Sequence, residues 1–168
     1  MWLFRGMAAL SKKLAGTVRA NPEMDRLDQV LPMLGAPIAE VDHEMRCVVM
    51  APKQSYRVRL YAWVVAAGKL HLMASIDYRE DRDLILRELA IDLLDENHGM
   101  EDEAFVLIPK QDNDRLIGCR RVLSLHGLDN RQLLAACRSV ISHMDRMVAR
   151  LYLKGLIPSG PFAIGGPA

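Results

Sequence analysis

The chain reads as an α+β fold: a mostly antiparallel sheet with three helices, in the order helix, run of strands, helix, two strands, helix. Three observations predict it. Apolar residues recur at steps of three and four in three separated stretches, they alternate with a period of two between Pro37 and Ile76, and turn-forming residues mark each change of period. No internal repeat or low-complexity linker divides the chain. A single domain is therefore expected over residues 22–155, between a basic arm at 1–21 and a flexible Gly/Pro-rich tail at 156–168.

In the arm, Arg5, Lys12, Lys13 and Arg19 occur with no acidic residue through position 20, while Leu3, Met7, Leu10, Leu14 and Val18 follow helical spacing. This is a basic amphipathic helix, able to pack on its own domain, on a second copy, or on a membrane surface through residues 1–19. Arg5, Gly6 and the lysine pair interrupt the apolar run that a secretory signal needs.

Asn21-Pro22-Glu23 has the order of an N-cap, a first-turn proline and a first-turn acid, so a helix begins there. Met24, Leu27, Val30, Leu31 and Leu34 form its apolar stripe. Pro32 must kink it or end its regular part, and Gly35 closes it. Strands follow near 37–41, 45–50, 56–66 and 69–76, with Asp42-His43-Glu44 and Ala67-Gly68 as connections, the second short enough for a tight hairpin.

Helical spacing returns from Asp81 to Asn97, with Ile85, Leu89 and Leu93 on one line and Asn97 and Gly99 as stop signals. The runs Ala104–Ile108 and Leu116–Leu125, separated by turn formers from Pro109 to Asp114, predict a second hairpin. The last helix, over 129–154, carries Leu133, Cys137, Val140, Ile141, Met144, Val148 and Leu151 on its apolar stripe and should pack across the sheet. Asp129 and Gln132 have capping-box spacing, and Gly155 and Pro158 stop it.

Composition narrows the function classes. At 168 residues, folding buries ~70% of the surface of the unfolded chain, so no covalent staple is needed. Hydrophobic residues make up 51% and charged residues 26%, too apolar for disorder and too charged for a bilayer. The 22 basic and 21 acidic residues are mixed along the chain and give a net charge of +1, so no strong field draws nucleic acid. Cys47, Cys119 and Cys137 are odd in number, far apart and without a CxxC pair, which predicts reduced thiols in the core of a cytoplasmic protein.

The segment LLDENHGMEDEAFVLIPKQDNDRLIGCRRVLSLHGLDNRQLLAACRSVISHMDRMVARL carries a pattern of its own. A helix ends near Asn97, Phe105-Val106-Leu107 forms a strand, Asp112 to Asp114 an acidic turn, and Val122-Leu123-Ser124-Leu125 a second strand. Leu128-Asp129 then opens a long helix with Asp145 in its middle. With the element order, this resembles the type III secretion chaperone-like superfamily, and within it the YbjN-type branch, over roughly residues 22–155. The resemblance implies a small cytoplasmic protein, often a homodimer, that binds an extended client segment or acts as a regulator. Classical secretion chaperones are acidic, whereas this chain is near neutral with a basic arm.

Catalytic patterns are missing. His43, His71, His98, His126 and His143 are scattered, none spaced with another His, Cys or acid as a recognisable metal site. There is no GxSxG, phosphate loop or GxGxxG. Asp81 with Asp83 fits a helix N-terminus, and Glu101-Asp102-Glu103 fits a solvated loop. No catalytic residue, metal ligand or cofactor is therefore expected, and the chain is read as a non-enzyme.

Another pattern points to binding. In the strand from Tyr56 to Val64, alternation places Tyr56, Val58, Leu60, Ala62 and Val64 on one face, and Arg57, Arg59, Tyr61 and Trp63 on the other. The first set suits a core. The second joins two guanidinium groups to two amphipathic aromatics, the residue types enriched at protein interfaces. Two arrangements remain open: these four side chains form a protein-binding surface, or the Asp81–Asn97 helix covers Tyr61 and Trp63 while the arginines rim it. The functional classes that follow are a homodimeric chaperone-like adaptor for a protein client, a regulator docking through its arm on a partner or membrane, and an enzyme of unfamiliar type.

Overall fold

The structure, a computed structural model, describes residues 22–35, 38–42, 47–50, 58–65, 68–79, 83–109 and 114–157. The basic arm, Tyr56, Arg57, His43 and the tail from Pro158 lie outside the described residues.

Helix α1 (Pro22–Val30) runs into a 3-10 turn at Leu31–Leu34, with Pro32 at the start of the turn. Proline has no N–H for the helical ladder, so the regular helix ends where it enters. Gly35 closes the turn at φ +82°, donating its N–H to Pro32 O at 2.9 Å. Leu27, Val30 and Leu31 are fully buried.

Six strands follow in an antiparallel sheet of order β1-β2-β3-β4-β6-β5: β1 (Ile38–Asp42), β2 (Cys47–Met50), β3 (Arg59–Val65), β4 (Lys69–Arg79), β5 (Glu103–Pro109) and β6 (Asp114–Ser124). Val65 pairs with Lys69 across the predicted hairpin, and Gly68 takes φ +66°, a conformation that costs a residue with a Cβ. Between β4 and β5 the chain crosses the sheet through α2 (Asp83–Asn97) and reaches the far edge, and β6 returns between them.

Helix α3 (Asn130–Leu153) starts with the predicted capping box: Gln132 N–H donates to Asp129 Oδ1 at 2.7 Å, and Asp129 N–H donates to Gln132 Oε1 at 2.9 Å. Its stop is Gly155 at φ +68°. The buried stripe, Leu133, Ala136, Cys137, Val140, Met144, Met147 and Leu151, is turned slightly from the predicted one. Ile141 and Val148 sit at its edge, half-buried, because the sheet beneath draws in Ala136 and Met147. The packed chain continues past the predicted domain end, since Leu156 and Ile157 are buried and Tyr78 donates its hydroxyl proton to Leu156 O at 3.1 Å.

The three described α-helices lie on one face of the sheet: α1 over β2 and β3, α3 over β4 and β6, α2 against β5. Beneath them Val48, Leu60, Ala62, Leu72, Ala74 and Ile117 form one cluster with the helices' apolar stripes. Each fully buried Leu or Ile contributes about 1.5–3 kcal/mol, which makes this layer the main source of stability. Helices α2 and α3 are also tied by charge. Asp92, buried although the sequence marks it as a polar position off the apolar line, accepts from Lys154 Nζ at 2.5 and 2.7 Å and from Arg150 at 3.4 Å, and Arg150 also pairs with Glu96.

Candidate functional site

The sheet face away from the helices holds the residues singled out in the strand of aromatics and arginines. Register fixes this. Leu60 and Ala62 point to the helices, so Arg59, Tyr61 and Trp63 point away, opposite Ser75, Met73 and His71 of β4. Helix α2 lies on the other side, with Leu89 and Leu93 in the cluster that contains Leu60, and it covers neither aromatic. Arg57, the fourth predicted residue, is outside the described segments.

Arg59, Tyr61 and Trp63 share a face but not an environment. Tyr61, 8% exposed, is packed with Met73 and Leu116 in a second, smaller apolar cluster, with Val49, Trp63, Val106 and Ile108 around it. Gly118 makes room for it: a Cβ there would stand 3.0 Å from Met73 Cγ, so the methionine lies where a side chain would otherwise project. Trp63 is half-buried and Arg59 exposed, while Val122 on the same face is 44% exposed. None of the described helices contributes to this cluster.

Polar groups border the apolar patch. The Trp63 and His71 rings are tilted at 37° with centroids 5.3 Å apart. Arg120 Nη2 lies 2.7 Å from His71 Nδ1. A guanidinium can only donate, so Nδ1 must accept and the imidazole is neutral with its proton on Nε2. Burial, reinforced by the charges of Arg120 and Lys69, holds the His71 pKa below its ordinary value. Among the described residues, the buried Ser75 Oγ and Arg120 Nε on this face have no hydrogen-bond partner.

A second constellation lies under α3. Glu103, Cys119 and His143 come from β5, β6 and α3, and their ligand-type atoms are all within 4.8 Å of one another. His143 Nδ1 lies 2.5 Å from Glu103 Oε2, Cys119 Sγ donates to the same oxygen at 3.5 Å, and Arg121 Nη1 donates to Oε1 at 3.2 Å. Burial alone would raise the Glu103 pKa, but hydrogen bonds from Ser139 and His143, together with the histidine's charge, bring it below the ordinary range. Burial and the adjacent carboxylate push the Cys119 thiol up, and burial takes the Cys137 thiol up to about 12, so both behave as protonated core residues. All three cysteines are buried, as expected, and none is in a disulfide. Sequence spacing could not reveal this cluster, because its members are 16 and 24 residues apart on elements that meet only in the fold. Glu103, assigned to a solvated loop, is instead the first residue of β5 with its side chain 5% exposed.

A six-stranded antiparallel sheet with every described helix on one face, the longest over β4 and β6, defines an α+β fold. Among the solved structures similar to it is the crystal structure of YbjN from E. coli, a protein proposed to regulate transcription, at a TM-score of 0.63 and 19% identity, covering 84% of this chain and 96% of that one. The chain therefore has the YbjN-type fold that its sequence resembles. No family model matches it, and no curated protein does. Among the described residues, no helix is long and apolar enough to cross a membrane.

Proposed function

We propose that this chain is a non-catalytic protein-binding module whose sheet face, on the side away from the described helices, receives an extended apolar segment of another protein. One observation carries the reading: an apolar patch on a sheet face, with Trp63 and Val122 reaching the surface, that no described helix covers. Tyr61 is the floor of the patch, and Trp63 and Arg59 are the contact residues; Arg57 extends the same alternation.

The near-neutral charge and the regulatory role proposed for YbjN favour a regulator over a secretion chaperone. The test is recovery of partners from the native cell with wild-type bait and with a Trp63→Ala/Arg59→Ala double variant, together with the thermal midpoint of each. Hot-spot aromatics and arginines cost at least ~2 kcal/mol when truncated, about a thirtyfold weakening, so a true partner should disappear from the variant while the midpoint barely moves. A large fall in midpoint would reassign Trp63 to internal packing. Sedimentation of the same pair shows whether the partner is a second copy.

A further inference from the structure

We propose that Glu103, Cys119 and His143 form a site for one divalent ion of the Zn²⁺ class, with a fourth position open to water beside His143. The donor set is a carboxylate oxygen, a thiol sulfur and an imidazole nitrogen, each a known zinc ligand type, and three protein ligands with one open place is the pattern of an accessible zinc centre.

The distances suit it. Zinc holds oxygen and nitrogen at about 2.0–2.2 Å and sulfur at about 2.3 Å, so tetrahedral ligand atoms stand roughly 3.3–3.8 Å apart. Cys119 Sγ and Glu103 Oε2 are already 3.5 Å apart. The 2.5 Å contact between His143 Nδ1 and Glu103 must open, by roughly 1 Å on that geometry, while His143 and Cys119 already have their ligand atoms within 4.8 Å, and the histidine side chain is 29% exposed. The same exposure provides the way in and the water position.

Charge balances as well. On binding, the Cys119 S–H bond breaks, its proton goes to solvent, and the hydrogen of a neutral His143 resides on Nε2. The thiolate and carboxylate then cancel the two charges of the ion. Glu103 uses Oε2 as the ligand and keeps Oε1 for Arg121, which also pairs with Asp102 at 2.9 Å, so the outer partners that orient a ligating carboxylate are in place. The ion would join β5, β6 and α3 at one point. This site lies on the helix-bearing face and is independent of the protein-binding surface.

The full chain, stripped with chelator, is titrated with Co²⁺, whose bond to a thiolate gives an intense near-ultraviolet band, and then with Zn²⁺ as competitor. One equivalent of Co²⁺ should produce the band, Zn²⁺ should abolish it, and Zn²⁺ should raise the thermal midpoint. Cys119→Ser should remove the band, and His143→Ala should weaken Co²⁺ binding at least tenfold. If Cys119→Ser does not fold, His143→Ala and Glu103→Gln decide. No band in the wild type, or a band unchanged in His143→Ala, overturns the proposal.

Discussion

The two faces of the sheet are built from one alternating pattern but closed in different ways. On the helix-bearing side, Leu60, Ala62, Leu72 and Ile117 meet the stripes of three helices, and burial there is complete. On the other side, Tyr61, Met73 and Leu116 are buried mainly by neighbours on adjacent strands, with Trp63 and Val122 left partly open. Alternation therefore says that both faces are apolar without saying which one is finished. A face closed by helices reports on stability, whereas a face closed by its own side chains has capacity left for binding.

The largest expected effect breaks the first side. Val140→Asp places a charge at a fully buried position under α3 and should cost about 3–5 kcal/mol in chemical denaturation, while Ile141→Asp, at the half-buried edge, should cost roughly half as much. Equal costs would mean that the stripe is centred on Ile141 after all. Next, Tyr61→Ala should lose about 2–3 kcal/mol from the smaller cluster, against less than about 1 kcal/mol for Trp63→Ala. If Trp63 proves as costly as Tyr61 in the same assay, the second face is a closed core and the contrast fails.

Asp92→Ala should cost about 1–2 kcal/mol, measured by thermal melting, because Lys154 loses its partner but can turn to water, while Arg150 keeps Glu96. The smallest effect is a pH dependence on the open face. Folding lowers the His71 pKa, so the unfolded chain binds more protons once pH falls below about 6.5, and stability drops from there towards the folded value. His71→Gln should remove that part of the acid-side loss in a denaturation series, leaving stability above pH 7 nearly unchanged. A loss identical to wild type would show that burial and the charges of Arg120 and Lys69 do not hold the ring neutral.

Element types and their order were legible because local signals set them: the Asp129/Gln132 box, the glycines at 35, 68 and 155, and Pro32 at the end of α1. Which strand neighbours which was not, since β6 inserts between β4 and β5 through pairings no local signal encodes. The side shared by Arg59, Tyr61 and Trp63 followed from a period of two, but their unequal burial depends on Met73 and Gly118 from other strands. For the same reason Glu103 read as loop, and its partners Cys119 and His143 as unrelated residues.

Strand β5 lies at one border of the sheet, where unsatisfied backbone groups invite further strands. At that border the side chain of Asn97, the last residue of α2, accepts from Phe105 N–H at 2.6 Å and donates to Phe105 O at 3.0 Å. A primary amide thus counterfeits one residue of a neighbouring strand and occupies a hydrogen-bonding rung that an aggregating chain would need. Asn97→Ala should therefore show itself first as a rise in self-association on storage.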